Sequence, residues 1–374
     1  MGAIRKYLIG TYTEPVLFGT GQIMEGKGKG IHVLKLDLEQ GTLAVEPAAG
    51  IVRNPSYVAV SGEFVYCVNE LKQYNGQMGG SVTVLTWDAP HEKLQIRQVL
   101  PTHGEDPCHV AVDETGTYLV AANFMTGSVC CWRIGPDGLL TETDFVQHEG
   151  CSADPVRQAG PHAHAGIWFS GGKNGADRQV LVPDLGKDEL AAYRVTAEGK
   201  LHYEEAVSVR CRKGNGPRFG EFHAVHSVLY LVNELASSVT VLAYDSSGPA
   251  FTVLQEISTL PEGVQSPSTA ADLHISPDGR HVYASNRGLD SIAVFSVLDD
   301  GRLKAVEQVS CGGKTPRNFV IDPDGGYVLV ANQDSDTIAL FARDPRTGRL
   351  TWLQTVDAPS PVCLIPCGQE SAGI

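Results

Sequence analysis

Histidine, arginine and glutamate pass protons and hold anions near neutral pH. In this chain they occupy two recurrent positions. One position precedes or opens an apolar run: Asn54, Asp106 to His109, His162 and His164, Arg218 with Glu221 and His223, and Arg317 with Asn318. The other ends a second run: Asn69 and Glu70, Asn123, Asp184, Asn233 and Glu234, Asn286 and Arg287, and Asn332 and Gln333. Arg, His and Glu gathered at one mouth would suit hydrolysis of a small anionic substrate. The run-ending Asn residues also have a plainer use, capping the following turn through an Asx hydrogen bond. Glu234 and Arg287 follow such an Asn, and a turn does not need opposite charges there, so an ion pair between them is a candidate. His162 and His164 are two apart and would share a strand face. A metal pair would still need a third ligand, from His223, Glu221 or Asp184, and the reading adopted is no metal. GKGKG (26–30) and KGNGP (213–217) are not followed by a helix, so neither is a helix-terminus phosphate loop. Loop flexibility accounts for the first. The second can offer backbone amides and Arg218 to an anion.

The elements that must carry these residues are read from repetition. Runs ending in Thr, Asn or Asp close at residues 11, 69, 123, 184, 233, 286 and 332, at intervals of 58, 54, 61, 49, 53 and 46. Each copy divides into four strand-like segments. In the second copy these are 55–60, 64–69, 81–87 and 94–100, all rich in Val, Leu, Ile, Tyr and Thr. Turn signals separate them, such as SPDG (276–279), DPDG (322–325) and DDG (299–301). Four-stranded units repeated seven times predict an all-β, seven-bladed β-propeller of antiparallel blades, with residues 1–374 as one domain. A β-sandwich pair or an open solenoid is the alternative. The first copy lacks its first strand, and PVCLIP (361–366) has that pattern without a blade of its own. The C-terminal strand is therefore expected to pair into the first blade and close the ring. In such a blade the start of strand a and the end of strand b share a face beside the central channel. Both recurrent positions then line one mouth. His281, in the turn after SPDG, is expected on the other face and exposed.

Composition narrows the partners. Lys plus Arg is 29 and Asp plus Glu 43, a net charge of −14, which argues against nucleic acid. No window is long and apolar enough to span a membrane, and the N-terminal stretch lacks the pattern of a secretory leader. Nine scattered cysteines without a Cys-x-x-Cys agree with a reducing, cytoplasmic setting. The oligomeric state is not legible.

Several stretches carry a resemblance: GTYT (10–13), NPSYVAV (54–60), RQAGPHAHA (157–165), GPRFGEFH (216–223), VNELASSV (232–239), SPDGRHVYASNRGLDSIAVF (276–295) and TPRNFVIDPDGGYVLVANQDS (315–335). Together they resemble the seven-bladed propeller lactonases, including the cycloisomerase-type 6-phosphogluconolactonases. That family is similar to fungal carboxy-cis,cis-muconate cyclase. The resemblance implies a site of one His, two Arg and a Glu, at His164 (with His162 as rival), Arg218, Glu234 and Arg287. Phe219 departs from the family, which usually has His there, and this bears on the natural substrate. The expected activity is hydrolysis of a sugar lactone, 6-phosphogluconolactonase-like, on a small anionic lactone and without a cofactor. His164 is the preferred base, with Arg218 and Arg287 stabilising the oxyanion. His162, His223, Arg317, Asp184 and Glu70 are expected to bind substrate. Two other readings compete: a lactonising cyclase for a carboxylated diene, and a non-enzymatic binding platform.

Overall fold

The computed structural model describes residues 4–170, 178–245, 248–264 and 267–367. No α-helix occurs among them, and so none long and apolar enough to cross a membrane. Seven antiparallel sheets follow one another in the chain. In blade 2 the strands are Pro55–Ser61 (a), Phe64–Asn69 (b), Ser81–Asp88 (c) and Lys93–Pro101 (d). Blade 5 runs Pro217–Phe222, Val228–Asn233, Ser238–Asp245 and Gly248–Ser258. Blade 4 is the irregular one. Among the described residues its strand a is Ile167–Ser170, and its outer edge is split between Leu201–Tyr203 and Val209–Arg210.

Strand b is apolar on both faces because neighbouring blades cover both. All six residues of Val228–Asn233 are buried, as are all six of Tyr118–Asn123. Burying each large aliphatic side chain contributes about 1.5–3 kcal/mol. Between blades 7 and 1 the packing is formed by Leu329, Ala331, Ile338 and Leu340 against Tyr7, Ile9, Leu34 and Leu36. A polar latch repeats with the packing. A strand-b tyrosine of one blade donates to a c–d turn carbonyl of the next: Tyr66 to Gly138 (3.0 Å), Tyr118 to Ala197 (2.7 Å), Tyr230 to Gly301 (2.8 Å) and Tyr283 to Gly348 (2.7 Å). Tyr327 of blade 7 reaches Leu38 of blade 1 in the same sense, at 3.3 Å.

Pro361–Cys367 pairs antiparallel with Ile4–Thr11, so the C-terminal strand is strand a of blade 1. The ring closes as the displaced strand pattern predicts.

The start of strand a is built to one plan. Asn54, Asp106, Gly216, Thr315 and Ser360 have left-handed backbone (φ 37°, 50°, 62°, 58° and 44°), and each precedes a proline. The pairing then slips by one residue just after Pro55, Pro107, Pro217, Pro316 and Pro361. A β-bulge re-aims the extra residue. Here it turns Ser56, Cys108, Arg218, Arg317 and Val362 toward the axis, where all five line one small central cavity. His164 takes the same place in blade 4, next to Ala163, which bridges to Asp184.

The glycine-rich stretches are structural. A Cβ on Gly28 would lie 2.0 Å from Thr11 Oγ1, so the chain needs glycine there for close approach. In 213–217 the amides of Gly214 and Gly216 each donate to Asp188 at 2.7 Å. They are therefore committed within the fold, and the anion-binding use expected for them is corrected.

Candidate active site

A cavity of about 1040 Å³ opens at the mouth where strands a begin and strands b end. Two sets of side chains build its floor. Cys108, His164 and Arg317 come from the bulge positions. Glu70, Phe124, Glu234, Arg287 and Gln333 come from the ends of strands b. The excursion after strand b of blade 1, with a small hairpin of Val16–Leu17 and Ile23–Met24, supplies part of the wall through Phe18, Met24 and Lys27.

Glu234 is the hub. Its Oε1 accepts from Arg157 Nη2 at 2.6 Å. Its Oε2 lies 2.7 Å from Arg287 Nη2, 3.2 Å from Arg218 Nε and 3.9 Å from His164 Nε2. Burial alone would raise the Glu234 carboxyl, but Arg287, Arg157 and Arg218 outweigh it and hold the group well below the usual carboxylate range. One carboxylate among three guanidiniums leaves the cluster net positive, which suits an anionic transition state. Burial pulls Arg287 down to about 10, with Arg218 and Arg317 adding and Glu234 opposing, so it stays charged at neutral pH.

His164 is buried, and burial, aided by Arg218, pushes its imidazole well below its ordinary value. It is therefore neutral at pH 7, and Glu234 is the neighbour that favours its protonated form. Phe124 packs edge-on against it at 5.2 Å, and the Cys108 thiol lies 3.6 Å from Nδ1 and 3.3 Å from the His164 carbonyl oxygen. Nε2 is thus the nitrogen turned toward Glu234. Arg218 does not line the large cavity. It lines the small one behind, and its Nη1 donates to the Ala271 carbonyl. His164, Glu234, Arg218 and Arg287 therefore converge from blades 4, 5 and 6, with Arg218 backing the carboxylate.

The peripheral candidates divide. Glu70 and Arg317 line the cavity. His162, His223 and Asp184 are not among the side chains that line it. His162 stacks on Phe124 at 4.6 Å with Nδ1 2.9 Å from the Phe124 carbonyl. The two histidines do not share one working face, because blade 4 enters strand a only at Ile167. Asp184 is fully buried. Its Oδ1 accepts from the amides of His162, Gly186 and Lys187, and its Oδ2 lies 2.6 Å from His148 Nδ1. His223 follows strand a, in the a–b turn of the opposite face, with Nε2 2.8 Å from Gly279 O. His281 is also corrected. It opens strand b of blade 6, is buried, and has Nδ1 3.0 Å from Arg343 Nη2. Among the described residues no cluster of three or more His, Cys, Asp or Glu side chains could hold a metal ion.

The strand-end asparagines are structural. Asn69, Asn123, Asn286 and Asn332 each donate to a carbonyl of the segment leading into their blade (Arg53, Thr102, Thr259 and Cys311). Arg157 escaped the sequence reading. It lies in the irregular segment 148–166, where no strand period marks it. That segment is held by its own turn and by blade 4: Asp154 Oδ1 accepts from the amides of Val156 and Arg157, and Gln158 Nε2 donates to Leu185 O.

Comparison with known proteins agrees with this architecture. Residues 6–366 match the family described as Lactonase, 7-bladed beta-propeller. A 6-phosphogluconolactonase of Bacillus subtilis is 34% identical over 364 residues, covering 96% of this chain and 98% of that protein. The crystal structure of a Lactobacillus plantarum protein superposes with a TM-score of 0.87 at 32% identity, covering 98% of this chain and 100% of that one. The periplasmic gluconolactonase of Pseudomonas aeruginosa gives 0.86 at 31% identity, covering 97% and 99%.

Proposed function

The chain belongs to the seven-bladed β-propeller lactonase family, and from that premise we propose that it hydrolyses a sugar lactone at the Glu234 cluster. The observation that carries the proposal is the arrangement around one carboxylate: three guanidiniums and a neutral imidazole on the floor of an open cavity. A water attacks the lactone carbonyl carbon and gives a proton to His164 Nε2. The new imidazolium is steadied by Glu234, 3.9 Å away. The carbonyl oxygen becomes an oxyanion facing Arg287. Collapse breaks the ring C–O bond, and the leaving oxygen takes the proton back from His164. The hydroxy acid formed ionises to its carboxylate at neutral pH. Glu234 is already engaged by three guanidiniums, and its role is to fix them and to favour the charge that His164 gains, against burial and Arg218. Nine unpaired cysteines, most of them buried, favour a reducing, cytoplasmic site of action.

Hydrolysis of glucono-δ-lactone and its 6-phosphate, followed by pH-stat above the spontaneous rate, tests this reading. No acceleration with either would sink it. The pH profile is a second test. His164 has a lowered pKa, so it stays unprotonated as pH falls through 6.5, and Glu234, also lowered, stays ionised. The acid limb of kcat/KM should therefore fall well below pH 6.5. A limb centred near 6.5, the ordinary imidazole value, would remove His164 from the role of base. Activity should also be unchanged by chelator. Loss on chelation, restored by one divalent ion, would make the site a metal centre.

A further inference from the structure

We propose that Cys108 is a positioning residue for the reaction: its sulfur accepts the Nδ1–H of His164 and so holds the imidazole in the tautomer whose bare Nε2 can take a proton. The inference rests on the lactonase reading and adds to it the contact that readies the base.

A neutral imidazole carries one proton, and only the other nitrogen can accept a second. The proposed mechanism needs Nε2 bare, so Nδ1 must hold the proton. Glu234 favours the opposite tautomer, because a carboxylate attracts an N–H turned toward it. Its Oε2 lies 3.9 Å from Nε2, beyond hydrogen-bond range, so it does not fix the choice. What meets Nδ1 does. Among the described residues that partner is the Cys108 sulfur, at 3.6 Å, a separation that the large radius of sulfur allows.

Two arrangements fit this pair. If the thiol donates to Nδ1, the ring proton sits on Nε2 and the base is disabled. If the thiol donates elsewhere, its lone pairs receive Nδ1–H. Neighbouring acceptors favour the second. The sulfur is 3.3 Å from the His164 carbonyl oxygen, closer than Nδ1, and 3.8 and 3.9 Å from the carbonyls of Ala122 and Ala163. Burial, with Glu70 adding, pushes the Cys108 thiol up, so it keeps its single hydrogen and gives it to the nearest carbonyl. Burial also takes Cys108 out of the role of nucleophile, although it lines the cavity beside a histidine.

The backbone puts the sulfur where it is needed. Strand pairing slips between Pro107 and His109, and the bulge aims Cys108 at the axis. Phe124 packs edge-on against the imidazole at 5.2 Å and limits its rotation away from the sulfur. When His164 takes the proton from water, Nδ1–H stays on sulfur and the new N–H points toward Glu234. Both sides of the imidazolium then face an acceptor, while Arg218 and Arg317 oppose its charge.

Nitrogen-15 NMR of histidine-labelled protein at neutral pH tests the assignment, because protonated and bare ring nitrogens resonate far apart. His164→Gln identifies the signal among the 12 histidines. The wild type should show Nδ1 protonated and Nε2 bare. In Cys108→Ala the population should move toward Nε2–H, since Glu234 is then the stronger influence. On glucono-δ-lactone or its 6-phosphate, kcat for Cys108→Ala should fall roughly 3- to 10-fold, the effect of one modest hydrogen bond, with KM changed less than about 2-fold. Cys108→Ser, whose hydroxyl can also donate to a carbonyl and accept from Nδ1, should restore the tautomer and most of kcat. Melting curves show that the variants are folded. A wild type with the proton on Nε2, an unmoved tautomer in Cys108→Ala, or a moved tautomer with kcat unchanged would each overturn the positioning role. A wild type with the expected tautomer that turns over neither lactone would overturn the lactonase reading and leave the tautomer assignment standing.

Discussion

Arg287→Ala should lower kcat/KM for lactone hydrolysis by ~100–1000-fold, or about 2.7–4 kcal/mol in the barrier, while the protein still folds. Arg287 faces the cavity and sits 2.7 Å from Glu234, so its charge lies where the proposed mechanism puts the oxyanion. Folding should survive because Arg157 and Arg218 remain on the carboxylate, which is not left as a lone buried charge. The proper control is Val225→Ala. Val225 is 83% exposed in the a–b turn of blade 5, at the opposite mouth, and its truncation should change stability by no more than about 0.5 kcal/mol. Steady-state kinetics on both variants decide the matter. Full activity in Arg287→Ala would withdraw the catalytic assignment of this arginine.

Truncation after Ala358 should abolish cooperative folding. It removes the innermost strand of blade 1, in which Val362, Cys363 and Leu364 are buried, and it bares one edge of Ile4–Thr11. The Val362 and Leu364 side chains contribute about 1.5–3 kcal/mol each. Strand pairing, Leu364's packing between blades 1 and 7, and the bond that the Leu364 amide donates to Asn318 Oδ1 (2.7 Å) are lost with them. The total is comparable with a whole folding free energy of ~5–15 kcal/mol. Circular dichroism melting reads the result. A truncated chain that melts at the full-length temperature would mean that the ring does not depend on this closure.

The ring was legible because its cause is local and repeated. Seven runs end in a short polar residue, and each ending is a strand that must turn at the channel mouth. The displaced pattern at 361–366 was legible for the same reason, since a blade with three strands needs a fourth. Glu234 and Arg287 stood out because opposite charges after a turn asparagine have no turn function, and they proved to be in contact. Chain position failed where it was read as direction. Asp184 ends a strand b, yet its carboxylate turns back into the backbone of 162–187. His223 is one residue beyond strand a and so crosses to the other mouth. The better signal was the residue after each strand-opening proline: Ser56, Cys108, Arg218, Arg317 and Val362. A bulge, not the strand's alternation, aims these side chains, so period-two reasoning misses them. Arg157 had no signal of either kind.

The tyrosine latches lie at the c–d turns, on the face away from the cavity, and run in one rotational sense from blade to blade. Substitutions that retune the mouth therefore spend little of the protein's mutational tolerance, since the fasteners they would loosen are elsewhere. An engineer can likewise randomise the cavity-lining axial residues Cys108 and Arg317 as a small library while the latches hold the opposite face.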